Sequence, residues 1–245
     1  MKYYILFSVV FFSLFIACKK PTDKTLKSAD VILKFTNVAN GKAIVKDQMD
    51  YSNAFGSTFS ISLLKYYVTN VVLVKDDGSE HKVANYDLID AFDPAQFSTV
   101  DLADVPGGNY KTIRFYLGVD KSRNHNGAQD GDLDPINNMI WTWNTGYLFF
   151  KHEGSFKDIN GATQMLQYHL GTDEALNTVT LPIDMEVNGT KRTVNIQFDL
   201  ANMYDAPIID FNNGAIRHST SIDDVSWIQD MKSNQMNAFT ILGVQ

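Results

Sequence analysis

From Val31 onward the chain alternates: Val31, Leu33 and Phe35 interleave with Ile32, Lys34 and Thr36, and Asn40-Gly41 leads on to Ala43, Val45 and their polar neighbours. Period two around Asn-Gly predicts a hairpin. The run from Ser57 to Val74 mixes alternation with β-branched residues and ends at the turn Asp76-Asp77-Gly78. It exceeds an ordinary strand, so a bulge or break is expected between Leu64 and Asn70. Lys82-Val83, Tyr86 to Asp90 and Val100 to Val105 predict further short strands, the last leading into Pro106-Gly107-Gly108. Tyr110, Thr112, Arg114 and Tyr116 then alternate against Lys111, Ile113, Phe115 and Leu117, which puts Ile113, Phe115 and Leu117 on the core face. Tyr147 to Lys151, Gln164 to Leu170, Val179 to Val187 and Thr193 to Leu200 complete the strand candidates, the last two around Asn188-Gly189. Only the tail breaks the pattern. Ser221-Ile222-Asp223-Asp224 reads as an N-cap ahead of Val225, Ile228, Met231, Met236 and Phe239 at helical spacing. Short strands, Gly- and Asp-rich turns and almost no amphipathic helix predict an all-β fold, an antiparallel β-sandwich or open barrel with long loops and a short C-terminal helix.

One stretch has neither period. Between the strand ending near Gly118 and the one starting at Tyr147 runs VDKSRNHNGAQDGDLDPINNMIWTWNTGY, residues 119–147. Long irregular loops in compact domains are functional or disordered, and Met139, Ile140, Trp141 and Trp143 give this one an apolar payload that needs a pocket. It also holds His125 and the acidic run Asp130-Gly131-Asp132-Leu133-Asp134.

Composition narrows the function classes. The chain has 245 residues, 44% apolar and 12% aromatic, a pI near 5.1 and a net charge of −7. That is ample for one core, in a domain expected to span residues 29–245. Lys2 precedes an apolar run from Tyr3 to Ala17 that is short for a bilayer span and ends in Phe15-Ile16-Ala17-Cys18. Residues 1–17 read as a signal peptide with a lipobox, Cys18 as the lipidated residue, and 18–28 as a tether. The chain is thus expected to be an exported lipoprotein anchored to the membrane by its lipid. Because no acidic run follows Cys18, the periplasmic face of the outer membrane is favoured over the cell surface. Cys18 is the only cysteine, so the mature domain has no disulfide. The acidic balance argues against nucleic acid as a partner.

Several segments together resemble the MbnP family, also called the metallo-mystery-pair proteins. They are Asn124-His125, Leu133-Asp134-Pro135, Met139 through Tyr147 (MIWTWNTGY) and Tyr168-His169-Leu170-Gly171, with Leu64 to Asn70 and Val105 to Tyr110 as flanking text. The resemblance spans roughly Val31 to Leu200. It implies a periplasmic or surface copper-binding protein, working with a di-haem peroxidase-like partner protein that oxidises one tryptophan to kynurenine. The chain departs from the pattern in lacking the four cysteines that most members with a copper role carry.

Imidazole suits copper. His125 lies in a turn context that presents its side chain, and His169 ends a strand before Gly171; a shared metal site requires the fold to bring two loops together. From residue types alone that pairing is open, and the resemblance favours it. Neither Trp141 nor Trp143 can ligate a metal as encoded, because indole offers only an N–H donor. Ring opening to kynurenine would create an aromatic amine and a ketone that can, and Trp141 is the expected reactive residue, since positions i and i+2 of an extended segment face opposite ways. Asp130, Asp132 and Asp134, with Asp120 nearby, offer oxygen ligands at alternating positions as calcium loops do, but without the downstream Glu; a solvated acidic turn is the simpler reading. His152 beside Glu153 is expected to support a ligand or lie at the surface, His81 to sit in a charged turn, and His218 in a polar connection. No G-x-S-x-G, H-E-x-x-H or phosphate-cradling glycine loop occurs. The chain reads as a binder and not an enzyme, with an aromatic-loop module for glycan or protein contacts as the alternative.

Overall fold

A computed structural model describes residues 26–142, 144, 146–220 and 225–245. Among them thirteen strands form two sheets, a β-sandwich with no closed barrel. They are β1 (Ala29–Ala39), β2 (Lys42–Ala43), β3 (Tyr51–Ser52), β4 (Thr58–Lys75), β5 (Glu80–Asp90), β6 (Thr99–Val105), β7 (Gly108–Leu117), β8 (Phe150–Lys157), β9 (Thr163–Leu170), β10 (Asn177–Val187), β11 (Arg192–Asp199), β12 (Ile216–His218) and β13 (Phe239–Val244). The smaller sheet runs β13-β11-β1-β2 with β6 also on β1; the larger runs β10-β7-β4-β8-β9-β12 with β3 and β5 also on β4. Most neighbours are antiparallel, as expected. Two pairs are parallel, β1 with β11 and β9 with β12, because in each case the connection is long enough to bring the chain back in the same direction.

The core follows the alternation. Val31, Leu33 and Phe35 meet Val194, Ile196 and Phe198 and the inward face Ile113, Phe115 and Leu117, all buried. Ring contacts join the two sheets, with Phe35 edge-on to Phe115 at 6.1 Å and Tyr66 tilted against Phe198 at 4.8 Å. Asn40 and Gly41 both take positive φ in the β1–β2 turn, and the Asp199 carboxylate accepts both of their backbone N–H groups.

β4 organises the larger sheet. Its register breaks between Ile61 and Leu63 and again at Asn70, which has φ of 51°, so the expected bulge is there and a second accompanies it. Its first half pairs with β8 and its second half with β7. Consequently the long segment between β7 and β8 leaves and returns beside one residue: Gly118 N–H donates to the Tyr67 carbonyl and Tyr67 N–H to the Phe149 carbonyl, both at 3.0 Å. It is a compact loop with adjoining ends, and it contains the short helix α1 (Lys121–Asn124).

Three local expectations need correction. Lys82-Val83 and Tyr86 to Asp90 are one strand, β5, which also takes in His81. The strand expected from Tyr147 begins at Phe150, while Tyr147 bridges back to Ile140. The tail helix α2 (Val225–Ala238) buries Trp227, Ile228, Met231, Asn234, Gln235 and Ala238, whereas Val225 and Met236 are exposed and Phe239 opens β13. Polar Asn234 and Gln235 hold core-facing positions and so hide the true face. Asn234 is satisfied there, donating to the Met203 and Pro207 carbonyls and accepting from Ala206 N–H. The expected N-cap at residues 221–224 and the leader, Cys18 and most of the tether lie outside the described residues.

Candidate metal centre on the outer sheet face

Strand parity builds the site. In the β8–β9 hairpin, Lys151 pairs with His169 and Glu153 with Gln167, so Lys151, Glu153, Gln167 and His169 share the face turned away from the core. Leu166, Tyr168 and Leu170 point inward and are buried. β12 then adds Ile216 beside Gln167 and His218 beside His169. The His169 and His218 rings lie 5.1 Å apart.

The long loop roofs this face. Trp141 N–H donates to the Gly146 carbonyl and Leu148 N–H to the Met139 carbonyl, closing a small hairpin over residues 139–148. Asn124 pins it from below: its Oδ1 accepts Tyr147 N–H at 2.8 Å and its Nδ2 donates to Asp173 at 3.0 Å. Gly146, with φ of 98°, passes so close to Asn124 that a Cβ would sit 2.5 Å from its Oδ1. Met139, Trp141 and Leu133 are buried, so the loop's apolar payload does find a pocket. The Trp141 indole donates to the Gly171 carbonyl at 2.7 Å, and its ring stands edge-on to both imidazoles, 6.3 Å from His169 and 6.2 Å from His218. A cavity of about 150 Å³ opens beside it, lined by Asn138, Ile140, Thr142, Leu148, Lys151 and His169.

His169 is buried and its Nε2 lies 2.9 Å from Glu153 Oε1. That bond, against partial burial and helped by Lys151 and Gln167, holds the Glu153 carboxyl down at about 2. His125 lies elsewhere on the loop, half-exposed, its Nε2 2.9 Å from Asp173 Oδ1. Asp173 is held below the usual carboxylate range: its burial pushes the other way but is outweighed by hydrogen bonds from Asn124 and His125 and by Lys121. The described contacts thus join His169 to His218, Glu153 and Trp141, and join His125 to Asp173. Trp143 lies outside the described residues.

The other candidates resolve differently. His218 is a strand residue in the cluster and not part of an irregular connection. His152 points into the core, fully buried, with Nδ1 2.6 Å from the Tyr204 hydroxyl, and desolvation pushes its imidazole down to about 3. Asp132 and Asp134 use their carboxylates on the backbone N–H groups of Leu88 and Ile136, and Asp120 accepts from Tyr86, Asn70 and Ser122. The acidic run therefore does not present converging oxygens for calcium. Among the described residues no three His, Cys, Asp or Glu side chains converge as metal ligands. The residues here that could hold a copper ion are the two imidazoles, His169 and His218, with the Trp141 ring edge-on to both. The nitrogen-rich pair fits copper, and the triad fits it fully only if Trp141 is modified.

The MbnP family model matches residues 28–222. Among solved structures, the fold is similar to that of MbnP from Methylosinus trichosporium, with a TM-score of 0.51 and 16% identity, over 76% of this chain and 80% of that one. Curated protein sequences give no match.

Proposed function

Since this chain belongs to the MbnP family, we propose that it is a copper-binding protein of the cell envelope that holds the metal through His169 and His218, with Trp141 as a third donor once its indole has been oxidised to kynurenine. The observation that carries the reading is the cluster of two imidazoles and one buried indole on a single sheet face. Copper is a cargo or a buffered ion here, since no residue pattern points to catalysis. The oxidation calls for a redox partner, of the di-haem peroxidase-like class that the family resemblance implies. Acylation at Cys18 would tether the domain to the outer membrane, facing the periplasm. His125 remains the alternative second histidine, on the adjoining loop. Burial of Trp141 and Tyr147 counts against an exposed aromatic platform for glycans.

The deciding experiment is metal analysis and intact mass of the protein from its native host, with peptide mapping across Met139 to Tyr147. Stoichiometric copper together with the mass increment of kynurenine on Trp141 is the expected result. An unmodified loop and no copper, even after loading with copper(II), overturns the reading.

A further inference from the structure

Glu153 has no part in holding the metal in the arrangement above, yet its carboxylate oxygen Oε1 has three nitrogen partners on that sheet face. Besides His169 Nε2 at 2.9 Å, Oε1 receives Gln167 Nε2 at 3.3 Å and Lys151 Nζ at 3.4 Å. All four side chains belong to one two-stranded register, β8 against β9, so the arrangement is set by the hairpin and not by a mobile loop. An ionised carboxylate only accepts hydrogen bonds. The nitrogen facing it must therefore carry the proton. His169 itself is buried.

From this geometry we propose that Glu153 is a positioning residue for the metal centre: it fixes His169 in the tautomer with the proton on Nε2, and so makes Nδ1 the donor atom. The inference rests on the copper reading for what Nδ1 donates to, but the tautomer itself is independent of any metal. A carboxylate behind a ligating imidazole orients the ring and raises its basicity, and removing such a partner typically costs about 10- to 100-fold in metal affinity. Gln167 and Lys151 act one step further out, holding the carboxylate in line.

Two measurements test this. The first uses metal-free protein labelled with nitrogen-15 in its histidines, with long-range proton–nitrogen correlation spectra at neutral pH. His169 is expected as the Nε2–H tautomer in the wild type and as a mixture in Glu153→Ala; a wild-type ring protonated on Nδ1 overturns the proposal whatever copper does. The second is copper(II) titration with electron paramagnetic resonance. Glu153→Ala is expected to bind about 10- to 100-fold more weakly with altered copper hyperfine splitting, and Glu153→Gln, which keeps an acceptor without the charge, to recover part of the loss. Unchanged affinity and spectrum in Glu153→Ala overturn the proposal. If Glu153→Ala fails to fold, Glu153→Gln decides it: an affinity and spectrum equal to wild type would refute any role for the charge. Wild-type protein that binds no copper refutes the copper reading alone, and the tautomer measurement still decides the role of Glu153.

Discussion

His169 and His218 face each other across a parallel pair of strands, with their ring centroids 5.1 Å apart and the edge of Trp141 over both. Nothing local brings them together, because two strands, β10 in the larger sheet and β11 in the smaller, intervene in the chain between β9 and β12. The chain visits the smaller sheet before it returns to the edge of β9.

This pairing gives the first prediction, which separates the two possible histidine pairs. Alanine at His218 or at His169 should each abolish stoichiometric copper(II) binding, whereas His125→Ala should leave it within a few-fold of wild type and lose only the contact with Asp173. Competition titration against a chelator of known affinity reads this directly. Loss of binding in His125→Ala with retention in His218→Ala would move the site to the loop.

How much of this was legible beforehand follows from the range of the signals involved. The hairpin at Asn40-Gly41, the turn at Asn188-Gly189 between two strands, the bulged β4 and the inward face of Ile113, Phe115 and Leu117 are local patterns, and they are where the pattern puts them, although the strands on either side of Asn188-Gly189 belong to different sheets. The neighbourhood of His169 and Glu153 was not legible, because the strand expected to end at Lys151 runs on to Lys157 and its register against β9 sets which residues share a side. Nor was His218. Three residues, Ile216-Arg217-His218, are too short and too polar to announce a strand, and their partner lies far back in the chain. The fold's tail was partly obscured for the opposite reason: hydrophobic spacing found the buried Ile228 and Met231, but Asn234 and Gln235 are polar residues in core positions, so it added the exposed Val225 and Met236 to that face.

The second prediction concerns Trp141 before any oxidation. Its N–H satisfies the Gly171 carbonyl at 2.7 Å in a buried setting. Trp141→Phe leaves that carbonyl unpaired, which should cost about 1–3 kcal/mol of stability. Urea unfolding of protein made without an oxidising partner checks it. A variant as stable as wild type would mean that the carbonyl is hydrated and the roof of the site is open.

A third prediction is acid sensitivity set in the core. Burial depresses the His152 imidazole to about 3, so below the ordinary histidine value of about 6.5 the unfolded chain takes up a proton that the native state refuses. Stability should therefore be full above about 6.5 and fall as pH drops from there toward 3. His152→Gln, which can keep a hydrogen bond to the Tyr204 hydroxyl, should flatten this part of the profile even if it lowers stability overall. Urea midpoints at a series of pH values test the slope; parallel profiles for the two proteins would contradict the assignment.

Gly171 shows why the site tolerates so little change. A Cβ there would lie 2.3 Å from the Tyr147 carbonyl oxygen, 2.8 Å from Leu148 Cα and 3.0 Å from the Trp141 indole nitrogen. Two of these are backbone atoms of the roofing hairpin, so relief must come from moving the hairpin, and with it the indole. Gly171→Ala should thus destabilise by about 1–3 kcal/mol and also spoil the edge-on contact of Trp141 with His169 and His218. Tryptophan fluorescence and copper titration should change together in this variant. A loss of stability with normal copper affinity would show that the indole's place over the imidazoles does not matter to binding, and would remove Trp141 from the metal centre.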